Sequence, residues 1–175
     1  MTTIKTLEER IRAIEDRLEI LNLIAAHPPS ADTGSGEFAA SFWAEDGVFD
    51  QGGTLRAAKE IANFTSPQFQ AAMQQGIAHF AGLPHIRVMG DTAVVTSYLQ
   101  VLAPDHVAAP DPLSAHPPPA GAQGYRVHRL SANRWDLRRT PEGWKIARRT
   151  LRLIEGKDAS REVLRSATEP EGALP

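Results

Sequence analysis

The order of hydrophobic periods along this chain of 175 residues predicts an α+β fold, with N-terminal helices covering one face of a bent sheet. Apolar residues recur at helical spacing in the first part of the chain and in β-rich runs from Ile77 onward. Two tight-turn signals, Met89-Gly90-Asp91 and Thr140-Pro141-Glu142-Gly143, each join a pair of those runs into a hairpin.

The elements follow in order. Ile4, Leu7, Ile11, Ile14, Leu18 and Leu21 alternate spacings of three and four, the stripe of an amphipathic helix running toward Ala26. Thr6 with Glu9 reads as a capping box, and Pro28-Pro29 is expected to forbid continuation. The stripe is expected to pack on the sheet, although the same spacing suits a coiled-coil seam and a dimer contact. Ser30 to Gly36 is turn chemistry. A short helix from Glu37 to Ala44 then offers Phe38, Phe42 and Trp43 for burial. Val48-Phe49-Asp50 reads as a short strand ending at Gly52-Gly53. Helical patterns from Ala57 to Phe64 and from Pro67 to Gln75 are separated by Thr65-Ser66, with Ser66 as cap and Pro67 at the first helical position. The β-rich segments are Ile77 to Val88, Thr92 to Leu102, Tyr125 to Arg139 and Trp144 to Ile154. Between the middle two, residues 103–123 are crowded with proline, alanine and glycine and are expected to form a mobile loop. One domain over 1–155 is expected, then a polar tail over 156–175 with a helical turn around Arg161 to Arg165.

Composition bounds the function. A hydrophobic fraction of 42% with 23% charged residues suits a single water-soluble core, and a net charge of −2 gives no reason to expect nucleic acid or an anionic membrane as partner. A small hydrophobic or weakly polar molecule is the expected ligand. Cysteine is absent, which excludes disulfides, thiolate nucleophiles and sulfur-based zinc sites. The charged N-terminal segment offers no apolar leader, and no run approaches the roughly 18 apolar residues of a membrane span. A cytoplasmic location is the resulting expectation.

Several stretches taken together resemble the SnoaL-like members of the nuclear-transport-factor-2-like superfamily. They are Asp32-Thr33-Gly34, Ala44-Glu45-Asp46-Gly47-Val48-Phe49-Asp50, Ala78-His79, Val88-Met89-Gly90-Asp91-Thr92-Ala93-Val94 and Asn133 to Ala147. The resemblance covers roughly residues 4 to 155. It implies a cone-shaped domain, a strongly curved antiparallel or mixed sheet wrapped by N-terminal helices, as in a cystatin-like α+β barrel. Catalytic relatives place an aspartate after the first helix, where it orients a histidine on the sheet that removes a proton from substrate. Asp32 and His79 occupy the matching positions. A neutral imidazole accepts a proton near neutrality, and a carboxylate on its other nitrogen fixes the tautomer. No cofactor is implied, and a homo-oligomer, dimer or trimer, is expected. The chain departs from the family at His27-Pro28-Pro29-Ser30-Ala31, where relatives approach the aspartate by a helix. The plainer alternative is a module that binds a ligand or a second copy without turnover, Asp32 being a turn residue and His79 a satisfied polar group.

Other residues are second-line substrate contacts. His27 lies near where a dehydrochlorinase relative carries a lysine, and otherwise simply ends a helix. His85 would share a strand face with His79 unless Gly82 and Pro84 break the parity. Tyr98 offers a hydroxyl, and Arg134 and Trp135 sit where the sheet could meet a ligand. Asp32-Thr33-Gly34-Ser35 spells an aspartic-protease tetrad, but the chain holds no second copy. His79 and His85 lack a metal-binding helix pattern or a carboxylate at ligand spacing, so no metal site is expected.

Overall fold

The computed structural model describes residues 6–106 and 124–168. The chain begins with α1 (Leu7–Asp32), α2 (Gly36–Ala40), β1 (Trp43–Asp50), β2 (Thr54–Arg56), α3 (Ala57–Phe64) and α4 (Pro67–Gln74). It continues with β3 (Ala78–Ala81), β4 (His85–Met89), β5 (Thr92–Asp105), β6 (Gly124–Thr140), β7 (Gly143–Leu153) and α5 (Asp158–Arg165). The seven strands form one curved, unclosed mixed sheet in the order β2-β1-β7-β6-β5-β3, with β4 also on β5. Only β1 and β7 run parallel; the other pairs are antiparallel.

Helix α1 overturns two expectations. It does not stop before the prolines but runs through Pro28 and Pro29 to Asp32. The two rings remove the amide donors that would reach the carbonyls of Ile24 and Ala25. The helix survives because Ser30 Oγ donates to the His27 carbonyl at 2.7 Å and the Thr33 amide and hydroxyl both donate to the Pro29 carbonyl, at 3.0 and 2.7 Å. Burial of His27, Pro28, Ser30 and Ala31 fastens this last stretch to the domain. The second correction concerns the face. The stripe Leu7, Ile11, Ile14, Leu18, Leu21 is exposed, and Asp16, Ile20, Leu23, Ile24 and His27 pack on the sheet instead. Both faces have three-four spacing, so periodicity alone could not rank them. Thr6 and Glu9 form the capping box.

The second helix is shorter than the spacing suggests. Trp43 and Ala44 already belong to β1, where both are buried, while Phe38 is exposed. The segment from Ile77 to Val88 breaks at Gly82-Leu83-Pro84 into β3 and β4, which pair with successive parts of β5. The Gly82 amide still reaches the Tyr98 carbonyl at 2.8 Å, so both pieces stay on one track. Strand β5 continues to Asp105, and the rest of the expected proline-rich loop, residues 107–123, lies outside the described residues. Helix α5 packs against β6 and β7 and buries Ser160 and Val163. No described helix is long and apolar enough to cross a membrane.

The core lies between α1 and the concave sheet face and includes Ile20, Ile24, Trp43, Val95, Trp135 and Ile146. Ala147 is an extra residue in β7, since Leu137 pairs with Ile146 and Asp136 with Arg148. This bulge switches which residues face inward: Trp144 and Ile146 are buried before it, Arg149 and Leu151 after it.

Candidate active site

Asp32, the last residue of α1, faces His79 near the start of β3. One carboxylate oxygen, Oδ2, accepts the His79 backbone N–H at 2.9 Å, and the other, Oδ1, lies 2.6 Å from His79 Nδ1. The pair is largely shielded, with side-chain exposures of 23% and 15%. Phe69 of α4 lies parallel to the imidazole, the ring centroids 5.9 Å apart. A carboxylate only accepts, so Nδ1 carries the hydrogen, and in the neutral imidazole the lone pair is on Nε2.

His79 lines a cavity of about 320 Å³ enclosed by α1, α3, α4 and the concave sheet. Its wall is largely apolar, with Phe49, Phe64, Phe69, Leu99, Trp135 and Leu151. Exposed Lys59 and Arg129 also line it.

A buried polar cluster closes the far side. Arg149, 5% exposed, donates through Nη1 to Glu60 Oε1 and lies 2.7 Å from His27 Nε2, while its Nε donates to Asn133 Oδ1 at 3.2 Å. The guanidinium sits 4.3 Å from the ring centroid of Trp135 and 5.0 Å from that of Phe49. Burial lowers the Arg149 pKa, and the adjacent Glu60 carboxylate opposes that shift. Burial, reinforced by the charge of Arg149, pushes His27 down to about 4 against the opposing pull of Glu60. His27 is therefore neutral near pH 7 and accepts the Arg149 hydrogen through Nε2. Four polar atoms of this cluster have no partner among the described residues: His27 Nδ1, which then carries the hydrogen, Glu60 Oε2, Asn133 Nδ2 and Trp135 Nε1. Among those residues, no group of three His, Cys, Asp or Glu side chains is placed to hold a metal ion.

Of the seven residues singled out from sequence, four come together: Asp32 behind His79, with His79, His27 and Trp135 in the cavity wall. The other three lie elsewhere. His85 lines a separate open groove with Arg17 and Arg87, because the break at Gly82 to Pro84 resets the strand. Tyr98 is 48% exposed on the opposite side of β5 from Leu99. Arg134 is held by Asp136, at 3.0 Å through Nε and 2.6 Å through Nη2. Sequence reasoning missed Glu60, Asn133 and Arg149. Asn133 shares strand parity with Trp135 and Leu137, and Glu60 lies on one helical stripe with Ala57 and Phe64. A carboxylate and an amide on apolar faces were therefore readable signals. The bulge at Ala147 hid Arg149.

Three comparisons bear on kinship. The family model described as SnoaL-like domain matches residues 12–150. An NTF2-like protein with a cystatin-like fold from Novosphingobium aromaticivorans is 35% identical, covers 94% of this chain and 98% of its own, and superposes with a TM-score of 0.76. A candidate dehydratase of the NTF2-like family from Streptomyces avermitilis is 20% identical over 81% of this chain and 97% of its own, with a TM-score of 0.55. A candidate ketosteroid isomerase from Shewanella frigidimarina is 15% identical over 74% and 91%, with a TM-score of 0.51, and like the dehydratase shares the fold alone. A comparison with curated proteins yields no match. With the family match spanning most of the chain and the curved sheet shared with these structures, the protein belongs to the SnoaL-like family and has the NTF2-like, cystatin-like fold.

Proposed function

We propose that this protein is a cofactor-independent enzyme of the lyase or isomerase type, using His79 as general base on a small, largely apolar molecule. The observation that carries the reading is the double grip of Asp32 on His79, which presents Nε2 as the free acceptor. Nε2 takes the proton from a carbon next to an electron-withdrawing group. The electron pair released moves onto a carbonyl oxygen or expels a leaving group. The imidazolium, held by the Asp32 carboxylate, then returns the proton to a second carbon in an isomerisation or to the leaving group in an elimination. Arg149, itself buried, places a positive charge at the far wall, where it favours developing negative charge. Its pairing with Glu60 cancels the net charge, which suits a substrate neutral in the ground state. The fold shared with the candidate dehydratase and ketosteroid isomerase agrees with this chemistry.

The test is deuterium exchange. Small ketones and β-hydroxy carbonyl compounds are incubated with the protein in heavy water, and label at the acidic carbon is followed by NMR. Exchange by the native chain that falls by orders of magnitude in His79→Ala supports the reading. Equal exchange in the variant, or a copurified molecule that stays unmodified and unlabelled, favours the binding-only alternative.

A further inference from the structure

Helix α1 has two apolar faces, and the domain uses one. Ile20, Leu23 and Ile24 pack on the core, and Asp16 fixes the helix by accepting from both Arg139 Nη atoms at 2.7 Å and from Trp144 Nε1 at 3.2 Å. The opposite side carries Leu7, Ile11, Ile14, Leu18 and Leu21, exposed by 69, 46, 58, 53 and 37%. Before Asp16 no residue of the helix is buried, and only the side with Glu9, Arg12 and Ala13 lies along the domain, in an open groove beside Val88, Gly90 and Asp91. A solvated helical stretch this short is marginal alone, and aligned Leu and Ile on it call for cover.

We propose that this face is the contact between two copies of the chain, packed side by side as a parallel two-helix seam. The exposed residues step by four, three, four and three, the alternation of core positions in a left-handed coiled coil, with Ile11 and Leu18 at a and Leu7, Ile14 and Leu21 at d. The flanking charges decide the partner and its direction. Glu8 and Glu15 fall at the e positions and Arg10 and Arg17 at the g positions. In a parallel pair, Arg10 of each copy reaches Glu15 of the other, so the attraction occurs twice. In an antiparallel pair, Arg10 meets Arg17 and Glu8 meets Glu15, like against like. A surface whose charges complement its own two-fold image fits a second copy of itself. Asp16, Ile20, Leu23 and His27, which hold the domain, lie at c and f, away from the seam, and Ile24, at g, follows its last core position, Leu21. Among the described residues, Leu7, Ile11 and Ile14 line none of the grooves of the domain, while Leu18 and Leu21 also form one wall of the open groove beside Pro84 to Arg87, along whose rim the partner helix would run.

Sedimentation equilibrium of the full chain should show a dimer, and Ile11→Glu with Ile14→Glu should yield a monomer. Those positions are exposed, so the near-UV circular dichroism of the folded domain should persist. Glu15→Arg should weaken association severalfold, and adding Arg10→Glu should restore it. The chain has no cysteine, so Leu18→Cys reports direction: a parallel pair oxidises to a disulfide-linked dimer, whereas Leu83→Cys, on a 96% exposed residue, does not. A monomeric native chain, a trimer, or a dimer indifferent to the double glutamate variant overturns the proposal. None of these readouts depends on catalysis.

Discussion

Removing Glu60 should be more damaging than removing both members of its ion pair. Arg149 and Glu60 have side-chain exposures of 6% and 5%, so neither charge is screened by solvent in the folded state. Breaking a buried pair by deleting one partner typically costs ~3–5 kcal/mol, because the survivor keeps its desolvation penalty. In Glu60→Ala, Arg149 keeps two neutral acceptors, His27 Nε2 and Asn133 Oδ1, which places the expected loss near the lower limit, ~3 kcal/mol. For a domain of this size that corresponds to a fall in melting temperature of about 6–12 °C. Glu60→Gln, which keeps a hydrogen-bond acceptor without the charge, should fall between the native chain and Glu60→Ala. The double variant Glu60→Leu with Arg149→Met should recover most of the loss, since no unpaired charge remains. Urea unfolding at pH 7, monitored by tryptophan fluorescence, measures all of these. A Glu60→Ala loss below about 1 kcal/mol, or a double variant as unstable as the sum of its singles, would refute the view that this pair is held by mutual compensation.

Three further outcomes follow from the same geometry. His27 is lowered from 6.5 to about 4 in the folded chain, so the unfolded chain binds its proton first on acidification. The stability it contributes is present above pH 6.5 and is lost as pH falls toward 4, by up to about 3 kcal/mol, and His27→Gln should flatten the stability curve in that window. Asp32→Asn, which lets the wrong imidazole tautomer form, should cut turnover by about 10³- to 10⁴-fold in the exchange assay, with a similar or larger loss in His79→Ala. Pro29→Ala, at an exposed helical position, returns a donor to the Ala25 carbonyl and should raise stability by about 1–2 kcal/mol in urea melts; a fall would show that the ring is needed where it stands.

The fold was legible because its main signals are local. The capping box at Thr6 and Glu9, the change of period, and turns at Gly90 and Gly143, where φ is 61° and 100°, each depend on a few adjacent residues. The illegible parts depend on tertiary context. Two prolines stop a helix in isolation, but packing of His27, Pro28 and Ala31 holds this one together, and that burial is invisible in sequence. Two equivalent stripes on α1 leave open which one the sheet takes. At the candidate site, Asp32 and His79 were readable through a family resemblance rather than through spacing, since α1 and β3 meet only in the folded chain. Arg149 depended on one unpaired residue in β7, and strict alternation counted through Ala147 puts it on the wrong face.

The bond from the His79 main-chain amide to Asp32 Oδ2 has a bearing on the resetting of the pair. A peptide hydrogen does not titrate near neutrality, so this link is indifferent to whether the imidazole is charged. The carboxylate therefore stays moored through both halves of a proton-transfer cycle, with no side-chain rotation needed between one turnover and the next.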